Sequence, residues 1–595
     1  MRQADIINAY KAGKLSTTEL KARLRALTRH VAKTPLSEGQ RGLWMLHKLH
    51  PDMSAYNVPI CFRVGCELDP ERLRDACAFL LEQFPILTSV IEEERGVPFL
   101  VPRPSSAPCF QRQSLSPSLT SAQVLDHLRQ VAKTPFALQH GPSLRVHLFT
   151  RPRAAGQAAE QLVLLTVQHI IFDGSSLLPV LTTLLDAYLA LSAGKRPVLI
   201  PATTSYGDFV AWEQELMASP EGREHLAYWQ HQLAGPLPIL DLLRRRAHWA
   251  TARRFEGRTY TRPLSAELSR EIRTFAQSHQ CNPSVVFLAL FKVLLYRYSG
   301  QDDLIVGIPT MIRPQERFEA LVGYFVNMIA VRSQIDGRRS FLDFMRQVEL
   351  TLVDGLDHAA YPFAALLRGL HVPQVRGHAP VFQVCFAYQN FVHRKELEGF
   401  ERKYAQPLSI EFVEGIHQEG EFELTLEVVA QRDRFVLNLK YDPEWYEAAM
   451  VARMLGHLVT LTEGVRQNPA RALDAYALLT PEEAAQLVAS PSPPTRPRAG
   501  RDLAGLSQDG GCQPAAEPRA GRPLPDPAGQ GGSSPQGLFE GASAGCLHQA
   551  FAAQARATPE AVAVTCAGQC LTYGALERRS TLLARALQQQ GVGPE

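Results

Sequence analysis

An imidazole, a carboxylate and a glycine fall within one short stretch, Gln168-His169-Ile170-Ile171-Phe172-Asp173-Gly174. A neutral imidazole can take a proton from a nucleophile and pass it on near neutral pH. An aspartate a few residues later can brace the loop that carries the ring, and a glycine lets backbone approach a bound group closely. The same residues also describe a structural turn, with His169 packed in a core and Asp173 capping the next helix. On these residues alone both readings stand.

The flanking sequence says what must position the ring. Leu162 to Val167 is an almost wholly apolar run of strand length that ends in polar residues, so it reads as a buried strand opening into a tight loop. Leu177 through Leu185 and Tyr188 are spaced as a helix, with Ser175 or Ser176 available to cap it. His169 therefore sits between a strand end and a helix start. At 595 residues the chain exceeds one usual core. A formal net charge of +3 is small for that length and argues for neither nucleic-acid nor membrane binding. The cysteines are scattered without zinc spacing, which points to a reduced, cytoplasmic chain. No signal-peptide pattern opens the sequence, and no uninterrupted apolar run has the length of a membrane span.

The central stretch resembles the H-H-x-x-x-D-G signature of nonribosomal peptide synthetase condensation domains, relatives of chloramphenicol acetyltransferase, with Gln168 in place of the first histidine. Further motifs follow in the family's order. Ser37-Glu38-Gly39-Gln40-Arg41-Gly42-Leu43-Trp44 is similar to its opening Ser-x-x-Gln-x-x-x-Trp helix. Phe84-Pro85-Ile86 departs from a charged R-H-E, although Leu87 and Thr88 fit. Tyr206-Gly207-Asp208-Phe209-Val210-Ala211-Trp212 resembles Y-x-D-F-A-x-W; Val322-Gly323-Tyr324-Phe325-Val326-Asn327-Met328 resembles I-G-x-F-V-N-T; and His358 to Phe363 matches H-x-x-Y-P-F. Phe382 to Asn390 fits a strand that in the family brings an amide side chain toward the reaction centre. Between Phe422 and Asp442 apolar and polar residues alternate as in a hairpin with one solvated face.

The resemblance implies an α/β fold of two chloramphenicol acetyltransferase-like lobes forming a V, residues 35–200 and 201–485. Before them, residues 1–30 read as two short helices broken at Gly13, a possible docking element. After them, 486–545 is rich in Pro, Gly, Ser, Arg and Ala and reads as a disordered linker, and 546–595 resembles the start of an adenylation domain.

By the same resemblance, an acyl or peptidyl thioester donor meets an aminoacyl acceptor, each on the phosphopantetheine arm of a carrier protein, the donor carrier acting in trans. His169, Asp173 and Gly174 are the expected catalytic residues. Gln168, Arg313, Asn327 and Asn390 are expected to support them, with Arg313 paired to Asp173. No cofactor or metal is expected on the chain itself. Glutamine rather than aspartate at 168 argues against a heterocyclising type. A non-catalytic platform that recruits carriers or tailoring enzymes is the alternative, favoured by Gln168 and by Phe84-Pro85-Ile86.

Overall fold

The computed structural model describes residues 33–103, 109–152, 159–242, 255–370, 378–389, 394–406, 408–489, 555–566, 569–577 and 580. The predicted helical segment 1–30 and the linker from 490 to 545 lie outside them. The chain divides into two units, Met1–Pro494 and Thr495–Glu595.

In chain order the strands are β1 (Thr34–Pro35), β2 (Asn57–Val64), β3 (Ser89–Glu94), β4 (Val97–Pro102), β5 (Phe110–Ser114), β6 (Leu144–Arg151), β7 (Glu160–Gln168), β8 (Arg258–Pro263), β9 (Asp303–Met311), β10 (Val326–Gln334), β11 (Val384–Gln389), β12 (Ile410–Phe412), β13 (Leu424–Ala430), β14 (Phe435–Tyr441), β15 (Val562–Cys566) and β16 (Gln569–Thr572). In the first unit β12-β2-β7-β6-β5 form one sheet, β1-β4-β3 a small one, and β10-β9-β11-β13-β14-β8 another. Both larger sheets mix parallel and antiparallel pairs and carry helices, an α/β arrangement.

The apolar run of β7 is explained by burial on both faces. Val163, Leu165 and Val167 enter one core, while Leu162 and Leu164 enter a smaller cluster under the helix Ser121–Ala132. In the second sheet one face packs on the helix Pro283–Ser299. Asn282 caps that helix by accepting from the Ser284 N–H, and Gly300 ends it at φ 72°. The stretch Gly174–Ser192 is long and apolar enough to suggest a membrane span, but Val180, Leu181, Leu184, Leu185 and Ala187 are buried in the first core, so it holds a core helix, Leu177–Ser192.

A single cut at residue 200 does not separate the two cores. Tyr206, Phe209, Phe318 and Phe325 pack in the first, as do Phe400, Tyr404 and Leu408. β12 then joins the edge of the first sheet, Ile410 opposite Val64. The chain thus crosses back from the second lobe, because the apolar side of that segment has its partner surface on the first. At the C-terminal end of this unit the helix Pro481–Ala489 extends past 485.

In the second unit, β15 and β16 pair antiparallel. Tyr573 and Gly574 donate backbone hydrogen bonds to Ala561 and Pro559, tying the start of the next helical turn to the segment before the hairpin.

Candidate active site

β7 ends at Gln168, and the chain turns through a short 3-10 turn, His169–Ile171. Three bonds set that turn: the His169 N–H donates to Tyr56 O, the Ile170 N–H to Gln168 Oε1, and Gln40 Nε2 to Ile170 O. Gln40 also accepts the Ser37 N–H in a capping box that starts the helix Glu38–Leu49. The Ser-x-x-Gln spacing thereby connects a helix cap to the loop bearing the imidazole. Gln168 is buried, and its Oε1 is spent on its own loop.

His169 Nδ1 lies 2.6 Å from Phe172 O. A carbonyl oxygen only accepts, so Nδ1 carries a proton, and in the neutral form of the ring the lone pair stands at Nε2. The ring meets that of Tyr324 edge-on, centroids 5.3 Å apart. Burial pushes the Tyr324 phenol up, with the neighbouring Tyr56 and Glu421 adding to it, so it remains a proton-bearing group.

Asp173 has no exposed surface. Its Oδ1 accepts from Ser175 Oγ, Ser176 N and Ser176 Oγ at 3.0, 3.0 and 2.9 Å. Its Oδ2 accepts from Phe325 N at 3.0 Å. The expected partner is present, Arg313 Nη2 lying 3.5 Å from Oδ1. Arg313 spends other donors on Ser175 Oγ and on the carbonyls of Phe318, Glu319 and Leu321, and its guanidinium lies over the Phe325 ring. Asp173 is thus a buried brace between the loop and the 313–325 segment.

Asn327 does similar work on β10. Its Nδ2 donates to Ala359 O and Tyr361 O at 2.8 and 2.7 Å, and its Oδ1 accepts the Phe363 N–H at 2.8 Å, clamping the H-x-x-Y-P-F turn. Asn390 lies outside the described residues. The preceding Gln389 faces the cavity, where it donates to Glu427.

His169, Gly174, Asn327 and Tyr324 line a cavity of about 1750 Å³ whose walls come from both lobes. Pockets for one drug-sized ligand run to roughly 1,000 Å³, so there is room for two reactants. Exposed Met45 and Leu49 also line it, so it reaches the surface beside the helix Glu38–Leu49. Among the described residues no group of His, Cys, Asp or Glu is arranged to hold a metal ion.

A family model, the condensation domain, matches residues 31–488. The chain belongs to the condensation-domain family. The chain is 40% identical over 563 residues to polyketide synthase PksN of Bacillus subtilis (strain 168), an alignment covering 95% of this chain and 9% of PksN. The chain therefore spans a small part of that relative. Two solved structures share the fold. One is the complex of the X-domain and OxyB from teicoplanin biosynthesis, with TM-score 0.65 and 19% identity, covering 75% of this chain and 96% of that one. The other is the four-domain nonribosomal peptide synthetase holo-AB3403 bound to AMP and glycine, with TM-score 0.64 and 19% identity, covering 76% and 34%.

Two features of this condensation domain escaped the sequence reading. Tyr324 holds the variable position of its motif, and its place beside His169 depends on Gly39, where a Cβ would come within 2.8 Å of Tyr324 Cε1. The polar face of the 422–442 hairpin is not solvated but lines the cavity: Glu427 and Asn438 are 6% and 3% exposed. The alternation itself was the available signal.

Proposed function

We propose that this condensation domain joins a carrier-bound acyl or peptidyl thioester to the amine of a carrier-bound aminoacyl group. The observation that carries the reading is the His169 imidazole, fixed at Nδ1 by Phe172 O and standing at a cavity walled by both lobes. The neutral amine attacks the thioester carbon, a C–N bond forms, and the tetrahedral intermediate collapses with loss of the C–S bond. His169 Nε2 takes the proton shed by the amine and returns it to the departing thiolate. Gly174, at the start of the turn preceding the helix Leu177–Ser192, lets backbone approach the thioester and directs its N–H toward the developing oxyanion. Asp173, Arg313, Asn327 and Gln168 act by holding this frame.

Carrier proteins bearing phosphopantetheine are the partners in this reading, in the cytoplasm. The segment from 546 is read, on its sequence motifs alone, as the opening of an adenylation domain. The test is an amide-forming assay with separately loaded donor and acceptor carriers, which also examines donor supply in trans. Wild type yields carrier-bound amide by mass spectrometry, and His169→Ala, folded by circular dichroism, does not. Equal product from both proteins would overturn the reading.

A platform without catalysis is the second reading. It draws on Gln168 in place of histidine and on the shared fold of an X-domain solved with OxyB. A wild-type protein that binds loaded carriers but makes no amide would favour it.

A further inference from the structure

The wall of the cavity formed by the second sheet is built unlike its surroundings. Glu427 on β13 and Asn438 on β14 are direct cross-strand partners, as are Asn438 and Thr261 on β8. Thr261 Oγ1 donates to Asn438 Oδ1 at 2.8 Å, and Asn438 Nδ2 to Glu427 Oε2 at 3.0 Å. Gln389 Nε2 and Lys440 Nζ both donate to Glu427 Oε1, at 2.8 and 2.9 Å. A hydrogen-bonded chain therefore crosses four adjacent strands at the cavity, whose lining elsewhere includes apolar residues such as Leu43, Met311, Met328 and Phe363.

Such a wall is not explained by stability. A buried ion pair is commonly no better than well-packed apolar side chains of similar volume. Lys440 and Glu427 are nevertheless both biased toward their charged forms: burial opposes each charge most strongly, and the partner's charge, the hydrogen bonds between them and neighbours such as Asn438, His417 and Glu421 together outweigh it. The donors and acceptors are also incompletely used. A carboxylate offers about four acceptor positions and an ammonium three donors. Glu427 receives three bonds, and among the described residues Lys440 Nζ donates only to Glu427. An acceptor position and N–H donors thus stand together at the cavity.

We propose that this wall recognises a hydroxyl group on the carbon chain of a substrate. A hydroxyl can accept from Lys440 and donate to Glu427. A carboxylate would meet Glu427 as a like charge, an ammonium would meet Lys440 as one, and a plain alkyl chain would strip water from both without replacing its bonds. The inference rests on the amide-forming reading only in taking the occupant to be a substrate.

Binding tests it apart from turnover. Pantetheine-linked acyl chains of equal length, with an amide replacing the thioester and a hydroxyl at successive carbons or at none, are titrated into the full chain by calorimetry. At one hydroxyl position the affinity is expected to exceed that of the plain chain by about 10- to 100-fold, the scale of hydrogen bonds to charged groups. The double variant Glu427→Gln/Lys440→Met, which leaves no lone buried charge, is expected to lose that preference and to bind the plain chain at least as tightly. Gln389→Met, a neutral change at the edge of the network, serves as the second variant and is expected to weaken the preference several-fold. Absence of a preferred hydroxyl position in wild type, or a preference that survives both variants, would overturn the proposal. Selective binding without amide formation in the carrier assay would sink the amide-forming reading and leave this one standing.

Discussion

Asp173 Oδ2 accepts the backbone N–H of Phe325, 152 positions further along the chain, at 3.0 Å. One fully buried carboxylate thereby fixes both the loop that carries His169 and the strand approach that carries Tyr324. Replacing it with asparagine removes the charge opposite Arg313 and sets an NH2 group among donors. Asp173→Asn is expected to lower stability by about 3 kcal/mol, as for one partner removed from a buried pair, and to reduce turnover in parallel. Urea unfolding and the carrier assay on the same preparation check both; unchanged stability would show that the brace carries little.

Asn327 holds its turn through three bonds, so truncation leaves two carbonyls and one N–H to find other partners. Asn327→Ala should cost about 2–3 kcal/mol, near 1 kcal/mol for each bond. Asn327→Asp should cost no less, because a carboxylate cannot donate to Ala359 O and Tyr361 O. Thermal unfolding of the two variants tests the ranking.

At Gly39 two effects oppose each other. An alanine favours the helix by about 1 kcal/mol, yet its Cβ collides with the Tyr324 ring. Gly39→Ala is expected to leave the melting temperature nearly unchanged while turnover falls on the order of 10-fold or more, since small displacements at a reaction centre are costly. Full activity would separate the Tyr324 position from function.

Lys292 is wholly buried in the helix Pro283–Ser299, donating to Val331 O and Ser333 Oγ at 2.7 and 2.8 Å. Burial pushes its ammonium down to about 7, with Asp303 opposing. The unfolded chain, titrating at its ordinary value near 10.4, then binds more protons than the folded one above pH 7. Stability contributed by this group should accordingly rise with pH from about 7 toward 10, at up to about 1.4 kcal/mol per pH unit. Below pH 7 both states are protonated and the slope vanishes. Denaturant titrations of wild type and Lys292→Met across this range check it; the variant should lack the slope.

Much of the site was legible before any coordinates, because the relevant signals are local. The apolar run before His169 ends where a strand must end, Ser175 and Ser176 stand where a helix start needs oxygen acceptors, and the motifs keep the order of a known family. The pairing of Arg313 with Asp173 was read from that order and is present, though at 3.5 Å and as one of several contacts. Other features depend on what lies opposite a residue. Alternation between 422 and 442 establishes that one face is polar, but not whether that face meets water or a cavity. The second lobe's own sheet and the first lobe decide this by enclosing Glu427, Asn438 and Lys440.

The sequence by itself determined the strand–loop–helix that presents His169, since periodicity and caps are properties of neighbouring residues, and its ordered motifs carried the family resemblance that implied the α/β class. Only the tertiary structure decided that Gln168 closes its own turn, that Tyr324 lies against the imidazole, and that segment 400–412 returns to the first lobe. Those outcomes depend on surfaces brought together from distant parts of the chain, where packing and hydrogen-bond satisfaction choose among placements that the local pattern leaves equal.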